Sequence, residues 1–233
     1  MSDDGDDIRH SKAEAPTLIE DPVERAEQEA RNALLQFDVA KEAIDSWTTH
    51  SDRPFRLRPS LILSLHRTAL DGLSAFAGVW RPAGVEIGKS KHEPPGGHLV
   101  PELVEEMCDY INENWATKSA VHLASYVMWR LNWIHPFDDG NGRTSRAISY
   151  VVLCVRTGQS LPGKYTIPEQ ISENKTPYYE ALEAADVAWI NCNVDISAME
   201  TLMEGMLAKQ LADVLDKAIN PESNAVTNDP TLH

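Results

Sequence analysis

The chain has 233 residues, 42% of them hydrophobic, and 21 Lys and Arg against 36 Asp and Glu give a formal net charge of -15. Such a surface repels phosphate backbones, which excludes sequence-independent nucleic-acid binding. No apolar run approaches a membrane span and the N-terminus is acidic where a signal peptide is basic, so a cytoplasmic protein without a membrane segment is expected.

Residues 1–20 are polar and acidic, with Pro16 as a breaker, and are expected to be disordered. Over 23–47 the pattern becomes helical. Ala30, Ala33, Leu34, Phe37, Ala40, Ile44 and Trp47 recur at spacings of three and four and predict one apolar face. A loop over 51–59 precedes a helix over 61–73, with Ser60 as its cap. The stretch 78–97 is rich in Gly and Pro, and Val85 and Ile87 alternate around Glu86, which predicts a short hairpin followed by a loop. Pro101 opens a helix over 102–115. Thr117 or Ser119 caps a further helix that runs to residue 134. The run 147–155 is almost wholly apolar and reads as a helix buried on all sides, ended by Gly158. A turn at 161–163 and helices over 176–188 and 194–219 complete the pattern, and a polar tail starts at Pro221. Cys108 and Cys154 fall inside apolar helical patterns and Cys192 stands apart, with no metal-ligand spacing among the three, so reduced thiols are expected. The fold class is mainly α with one small β-hairpin. It divides into a tail over 1–20, a helix and loop over 21–59, a core over 60–190, a C-terminal helix over 191–220 and a second tail over 221–233.

The chemistry is concentrated in His135-Pro136-Phe137-Asp138-Asp139-Gly140-Asn141-Gly142-Arg143-Thr144-Ser145-Arg146. Asn141 and Gly142 stand at the start of the buried helix. The first amides of a helix have no internal acceptor and carry partial positive charge, and glycine lets a phosphate approach the backbone. A helix start preceded by Asp-Gly-Asn-Gly is therefore an anion cradle. Arg143 and Arg146 are three apart, so both project from one side of the first turn, and two guanidinium groups there suit a polyphosphate. A carboxylate beside bound phosphates is the usual protein ligand for magnesium, which assigns Asp139 that role. His135 ends the preceding helix, and an imidazole accepts a proton near neutral pH. A calcium loop would need oxygen ligands where Arg143 and Arg146 stand.

The same run resembles the signature of the Fic family: His, any, Phe, any, acidic, Gly, Asn, Gly or Lys, Arg, two of any, Arg. Every constrained position matches, and the resemblance extends from about residue 61 to about 186. Gly78-Val79-Trp80-Arg81 and the stretch 85–90 resemble the family's flap, and Tyr178-Tyr179-Glu180-Ala181-Leu182 resembles its downstream helix. The resemblance implies the fido helical core with a flap, and transfer of AMP from ATP to a Ser, Thr or Tyr hydroxyl of a target protein. His135 would be the general base and Asp139 the magnesium ligand. Asn141 and the amides from Gly140 through Gly142 to Arg143 would cradle phosphates, with Arg143 toward the β-phosphate and Arg146 toward the γ-phosphate. Ile87, Gly88, Lys89 and Ser90 would clamp the target segment as an added strand. Tyr178, Leu182 and Asp186 would line the adenine site, with Asp186 standing where relatives carry Asn.

Many relatives restrain themselves through an inhibitory helix, Ser or Thr, three of any, Glu, then Gly or Asn, whose glutamate meets the second motif arginine, here Arg146. No segment of this chain matches. Restraint is therefore expected from a small antitoxin-like inhibitor protein, from Glu29 or Glu204 on a degenerate helix, or from a homodimer. Phosphoryl or phosphocholine transfer and a nucleotide-binding scaffold without turnover are the competing functions. Gly142 favours AMP transfer over phosphorylation, because the phosphorylating relatives carry Lys there.

Overall fold

The structure is a computed structural model that describes residues 11–12, 18–49, 54–88, 90–162 and 165–219. Among them, eight α-helices follow one another as α1 (Pro22–Thr49), α2 (Pro59–Ala69), α3 (Val100–Glu113), α4 (Ala120–Ile134), α5 (Asn141–Thr157), α6 (Ile167–Glu173), α7 (Thr176–Trp189) and α8 (Ser197–Ile219). A short 3-10 turn, Gly97–Leu99, leads into α3.

The centre is the pair α4 and α5, joined by residues 135–140. Helix α4 starts at Ser119, whose Oγ accepts the His122 N–H at 3.0 Å and satisfies one of the open amides of the first turn. It then buries Leu123, Val127, Met128, Leu131 and Ile134 completely. Helix α5 is buried on all sides, as its composition predicts. Its buried Ser149 donates to the Ala124 carbonyl of α4 at 2.8 Å, which offsets the cost of burying that hydroxyl. Around this pair pack α1, α2, α3, α7 and α8, with α6 lodged between α5 and α8. Each fully buried Leu, Ile or Met contributes about 1.5–3 kcal/mol. The exclusion of water from the α4–α5 seam is what makes the loop between them a rigid platform.

Helix α1 buries Ala40 and Ile44 as expected but departs from its expected face over residues 32–37. Leu34 and Phe37, read as inward, are 70% and 51% exposed, while Asn32 and Gln36 are buried. Asn32 donates to the carbonyls of Ala69 and Asp71, and Gln36 donates to the Leu65 carbonyl. The Ala69 and Asp71 carbonyls stand at the end of α2 and in the turn after it, where the helix's own donors run out, and the Leu65 carbonyl lies one turn earlier. Satisfying them outweighs burying two more apolar side chains there.

The hairpin expected within 78–97 does not form among the described residues. Strand β2 (Glu86–Ile87) pairs antiparallel with β1 (Ser11–Lys12), Ser11 opposite Ile87 and Lys12 opposite Glu86. The partner thus comes from the stretch expected to be disordered. Pro82, Pro94 and Pro95 flank β2 and remove the N–H donors that a local return strand would need. Helix α6 was not expected either. Thr166 and Glu169 form a capping box, with Pro168 in the first turn. Cys108 and Cys154 are buried and Cys192 is exposed, all as free thiols. No described helix is long and apolar enough to cross a membrane.

Candidate active site

The loop 135–140 and the first turn of α5 form one wall of a cavity of about 1230 Å³. Of the residues singled out from sequence, His135, Asp139, Gly140, Asn141, Gly142, Arg143, Arg146, Ile87, Ser90, Tyr178, Leu182 and Asp186 all line it. Gly88 lies in the turn after β2, outside that lining, and Lys89 lies outside the described residues.

His135 closes α4 in a left-handed conformation, φ 51, with its N–H still bonded to the Leu131 carbonyl. Pro136 cannot continue the helix, and the left-handed turn costs a non-glycine residue about 1–3 kcal/mol. The surroundings enforce it. Arg81, 3% exposed, donates Nε–H to the His135 carbonyl at 2.6 Å and further N–H groups to the carbonyls of Ala83, Pro95 and Ile134. Its own amide bonds the Pro136 carbonyl.

The imidazole of His135 has its Nδ1 3.3 Å from the Asn132 carbonyl. A carbonyl only accepts, so Nδ1 carries the proton and the lone pair is on Nε2. Burial pushes the pKa from 6.5 down to about 4, and the positive charge of Arg81 acts in the same direction, against the opposing pull of the Asn132 carbonyl. The ring is therefore a neutral base at physiological pH.

Asn141 clamps the loop. Its carboxamide accepts the Phe137 N–H at 3.0 Å and donates to the Phe137 carbonyl at 2.9 Å. Phe137 is fully buried between Trp80 and His66. Gly140 is left-handed, φ 75, and its N–H donates to Asp139 Oδ1 at 2.6 Å, which orients that carboxylate. Arg143 reaches Asp139 Oδ2 at 3.3 Å. Arg146 sits one turn on, and burial pushes its pKa down from the guanidinium range, while Tyr178 and Tyr179 act the other way. At the far side, the Tyr178 hydroxyl accepts from Asn132 Nδ2 at 2.8 Å and lies 3.4 Å from Ser145 Oγ. Asp186 accepts the Trp129 indole N–H at 2.8 Å.

Among the described residues, no three His, Cys, Asp or Glu gather into a metal-binding group. A lone oriented carboxylate beside an anion cradle suits an ion that keeps its waters and is completed by phosphate oxygens, which is the coordination habit of magnesium. The residues present fit that ion at Asp139.

Sequence reasoning passed over three supports of this site. Asn132, one turn before His135, ties Ser145 and Tyr178 to α4. His66 and Arg81 hold the loop from outside. Arg81 falls in the stretch that resembles the flap, but its grip on the loop is not written there, and nothing in the sequence position of His66 marks it. The structure separates the two glutamates considered for restraint. Glu29 lines the cavity and lies 3.9 Å from Arg143, while Arg25 lies 3.8 Å from Asp139. Glu204 is exposed on α8, away from the cavity lining.

Two depressed imidazoles make stability acid-sensitive. His66, like His135, is pushed by burial from 6.5 to about 4. Between those values the unfolded chain binds more protons than the folded one. Their contribution is complete above about pH 6.5 and drains as pH falls toward about 4, by roughly 3 kcal/mol per imidazole. Thermal unfolding followed from pH 7.5 to 4.5 should show this loss, and a flat melting temperature across that interval would contradict the burial of both rings.

Residues 56–153 match the Fic/DOC family model. The chain is 30% identical over 157 residues to a protein adenylyltransferase Fic of Drosophila willistoni, and 34% identical over 157 residues to that of Drosophila melanogaster. These alignments cover 66% of this chain but only 29% and 30% of the fly proteins, so the chain spans under a third of the length of those relatives. In fold it is similar to a Fic family protein from Desulfovibrio desulfuricans G20, with TM-score 0.62 and 19% identity over 86% of this chain and 56% of that one. It is also similar to Fic-1 from C. elegans carrying E274G, with TM-score 0.61 and 21% identity over 81% of this chain and 52% of that one. With every constrained motif position filled, and filled on the helical scaffold these proteins share, the chain belongs to the Fic family.

Proposed function

We propose that this chain transfers AMP from ATP to a Ser, Thr or Tyr hydroxyl of a target protein. The observation that carries the reading is the shared cavity wall: a neutral imidazole with its lone pair on Nε2 faces the same space as the opening turn of α5 with Arg143 and Arg146. His135 Nε2 takes the hydroxyl proton as the target oxygen bonds the α-phosphorus. The bond from that phosphorus to the bridging oxygen breaks, and pyrophosphate leaves. The amides from Gly140 to Arg143 and the two guanidinium groups hold the phosphates, and such transfer is mainly positioning and charge neutralisation. Magnesium held by Asp139 would supply further neutralisation of the phosphate charge. Tyr178, Leu182 and Asp186 line the space left for adenine, and Ile87 and Ser90 border the same cavity, where an extended target segment would dock.

Several observations support this reading. The fly relatives carry the name protein adenylyltransferase, and a Bartonella effector of the same fold holds AMPPNP. A Cβ at Gly142 would meet the Arg146 guanidinium at 3.2 Å, so a longer side chain there would displace Arg146, and glycine keeps the first turn clear for a full triphosphate. Incubation with labelled ATP and cell lysate tests the proposal. Labelled protein bands carrying the mass of AMP are expected, and bands carrying only phosphate or phosphocholine would replace the reading with another transfer.

The site also contains its own restraint. Arg25 and Glu29 of α1 form alternating ion pairs with Asp139 and Arg143, opposite charge on opposite charge, where metal and phosphate would bind. Glu29→Gln keeps the helix and removes the charge. Self-labelling should rise by about 2–5-fold, the equivalent of a half-exposed ion pair of about 0.5–1 kcal/mol. An unchanged rate would leave restraint to a separate antitoxin-like protein or to a homodimer.

A further inference from the structure

His66 is outside the signature motif, yet its side chain is held on every side. It is fully buried on α2, and its ring stacks on Phe137 at 3.6 Å between centroids with planes 5° apart. Both ring nitrogens are engaged by backbone. The Gly78 N–H lies 2.9 Å from Nδ1 and the Asp139 carbonyl lies 3.0 Å from Nε2. An amide can only donate and a carbonyl can only accept. Nδ1 therefore bears the lone pair and Nε2 the proton, and no other protonation state satisfies both partners. One imidazole thus joins two segments that are remote in sequence. The first, at Gly78, runs on to Arg81, which holds the His135 carbonyl. The second is Asp139, whose carboxylate is in turn aimed by the Gly140 N–H.

We propose that His66 is a positioning residue for the metal-binding carboxylate, acting by holding the Asp139 backbone through Nε2–H while Gly78 fixes its tautomer. The inference rests on the adenylyl-transfer reading and on Asp139 as the magnesium ligand. A partner that fixes a ligating carboxylate from behind commonly contributes about 10–100-fold in metal affinity or activity. The alternative is a core histidine that matters only for folding.

Two substitutions separate the ring's two halves. His66→Asn retains an acceptor near the Nδ1 position, toward Gly78, and loses the donor to Asp139. His66→Gln reaches the Nε2 position and keeps that donor. Melting temperature is recorded for each, and His66→Phe, which keeps the stack on Phe137, is read in place of His66→Asn if the latter is unfolded. AMPPNP binding is measured by calorimetry with and without magnesium chloride, and labelling by ATP is measured against magnesium concentration. In His66→Asn the magnesium needed for half-maximal labelling should rise about 10-fold or more. The strengthening of AMPPNP binding by magnesium should shrink to match, with metal-free AMPPNP affinity unchanged. His66→Gln should stay close to wild type on both measures. A folded His66→Asn protein with wild-type magnesium dependence overturns the proposal. So does an equal loss of labelling in both variants with the magnesium effect on AMPPNP intact. Should the wild type label nothing, the transfer reading has failed, and the calorimetry alone decides on His66: a reduced magnesium effect in His66→Asn supports it, and an undiminished effect, or none in the wild type, overturns it.

Discussion

His135→Ala is expected to reduce AMP transfer by about 10²–10⁴-fold, the usual contribution of a positioned general base. The loss should fall on kcat, with ATP binding nearly unchanged, because in the proposed mechanism the imidazole acts on the incoming hydroxyl and α5 holds the phosphates. Folding should survive. The left-handed turn at 135 is held by the Leu131 and Arg81 bonds to the backbone, which alanine retains. Removing the ring also removes one of the two buried imidazoles that resist protonation, so the variant should lose less stability than wild type between pH 6.5 and about 4. Single-turnover labelling with ATP, paired with thermal unfolding across that pH range, measures both effects. Wild-type labelling by a folded His135→Ala protein would remove His135 as the base.

Gly140→Ala should be nearly as damaging, for a steric reason. The residue is left-handed, and a Cβ built there would lie 2.3 Å from Leu70 Cδ2 and 3.3 Å from the His66 ring. The left-handed conformation costs an alanine about 1–2 kcal/mol. Forcing a methyl into a filled space costs about 1–3 kcal/mol more. The loop can relieve the contact only by moving away from α2, and that carries Asp139 and the first amides of α5 with it. A displacement near 1 Å at such a centre is worth about 10²-fold in rate. The expected result is a lower melting temperature and a labelling rate reduced by that factor. Adding Leu70→Ala should restore part of the rate, since it vacates the space the methyl needs. A Gly140→Ala protein that labels at the wild-type rate would show that the loop tolerates displacement, and the rigid-platform account of the site would fall.

Much of the fold was legible because helices announce themselves locally. Helix α5 shows itself through a continuous apolar run closed by Gly158, α4 through a capping serine and an apolar stripe, and α7 and α8 through spacing. Helix α6 had a readable signal in Thr166, Pro168 and Glu169 that was passed over because seven residues are too few to display a period. The sequence places Ala40 and Ile44 of α1 inward correctly, but not residues 32–37, because hydropathy ranks Leu34 and Phe37 above Asn32 and Gln36. Which carbonyls at and beyond the end of α2 need a donor is not written in α1. The alternation at Val85 to Ile87 was a true strand signal, but its partner at Ser11–Lys12 lies more than seventy residues away, and two-residue strands carry no register of their own.

That the residues proposed to react lie together was readable from the sequence, since His135, Asp139, Arg143 and Arg146 occupy one contiguous stretch whose spacing is set by a helix end, a tight loop and a helix start, and all four line one cavity. Their support was not. His66 meets Asp139 across 73 positions and Arg81 meets the His135 carbonyl across 54. A hydrogen bond between segments that distant leaves no periodicity or composition behind, because it exists only once α2, the loop after it and the α4–α5 pair have packed together.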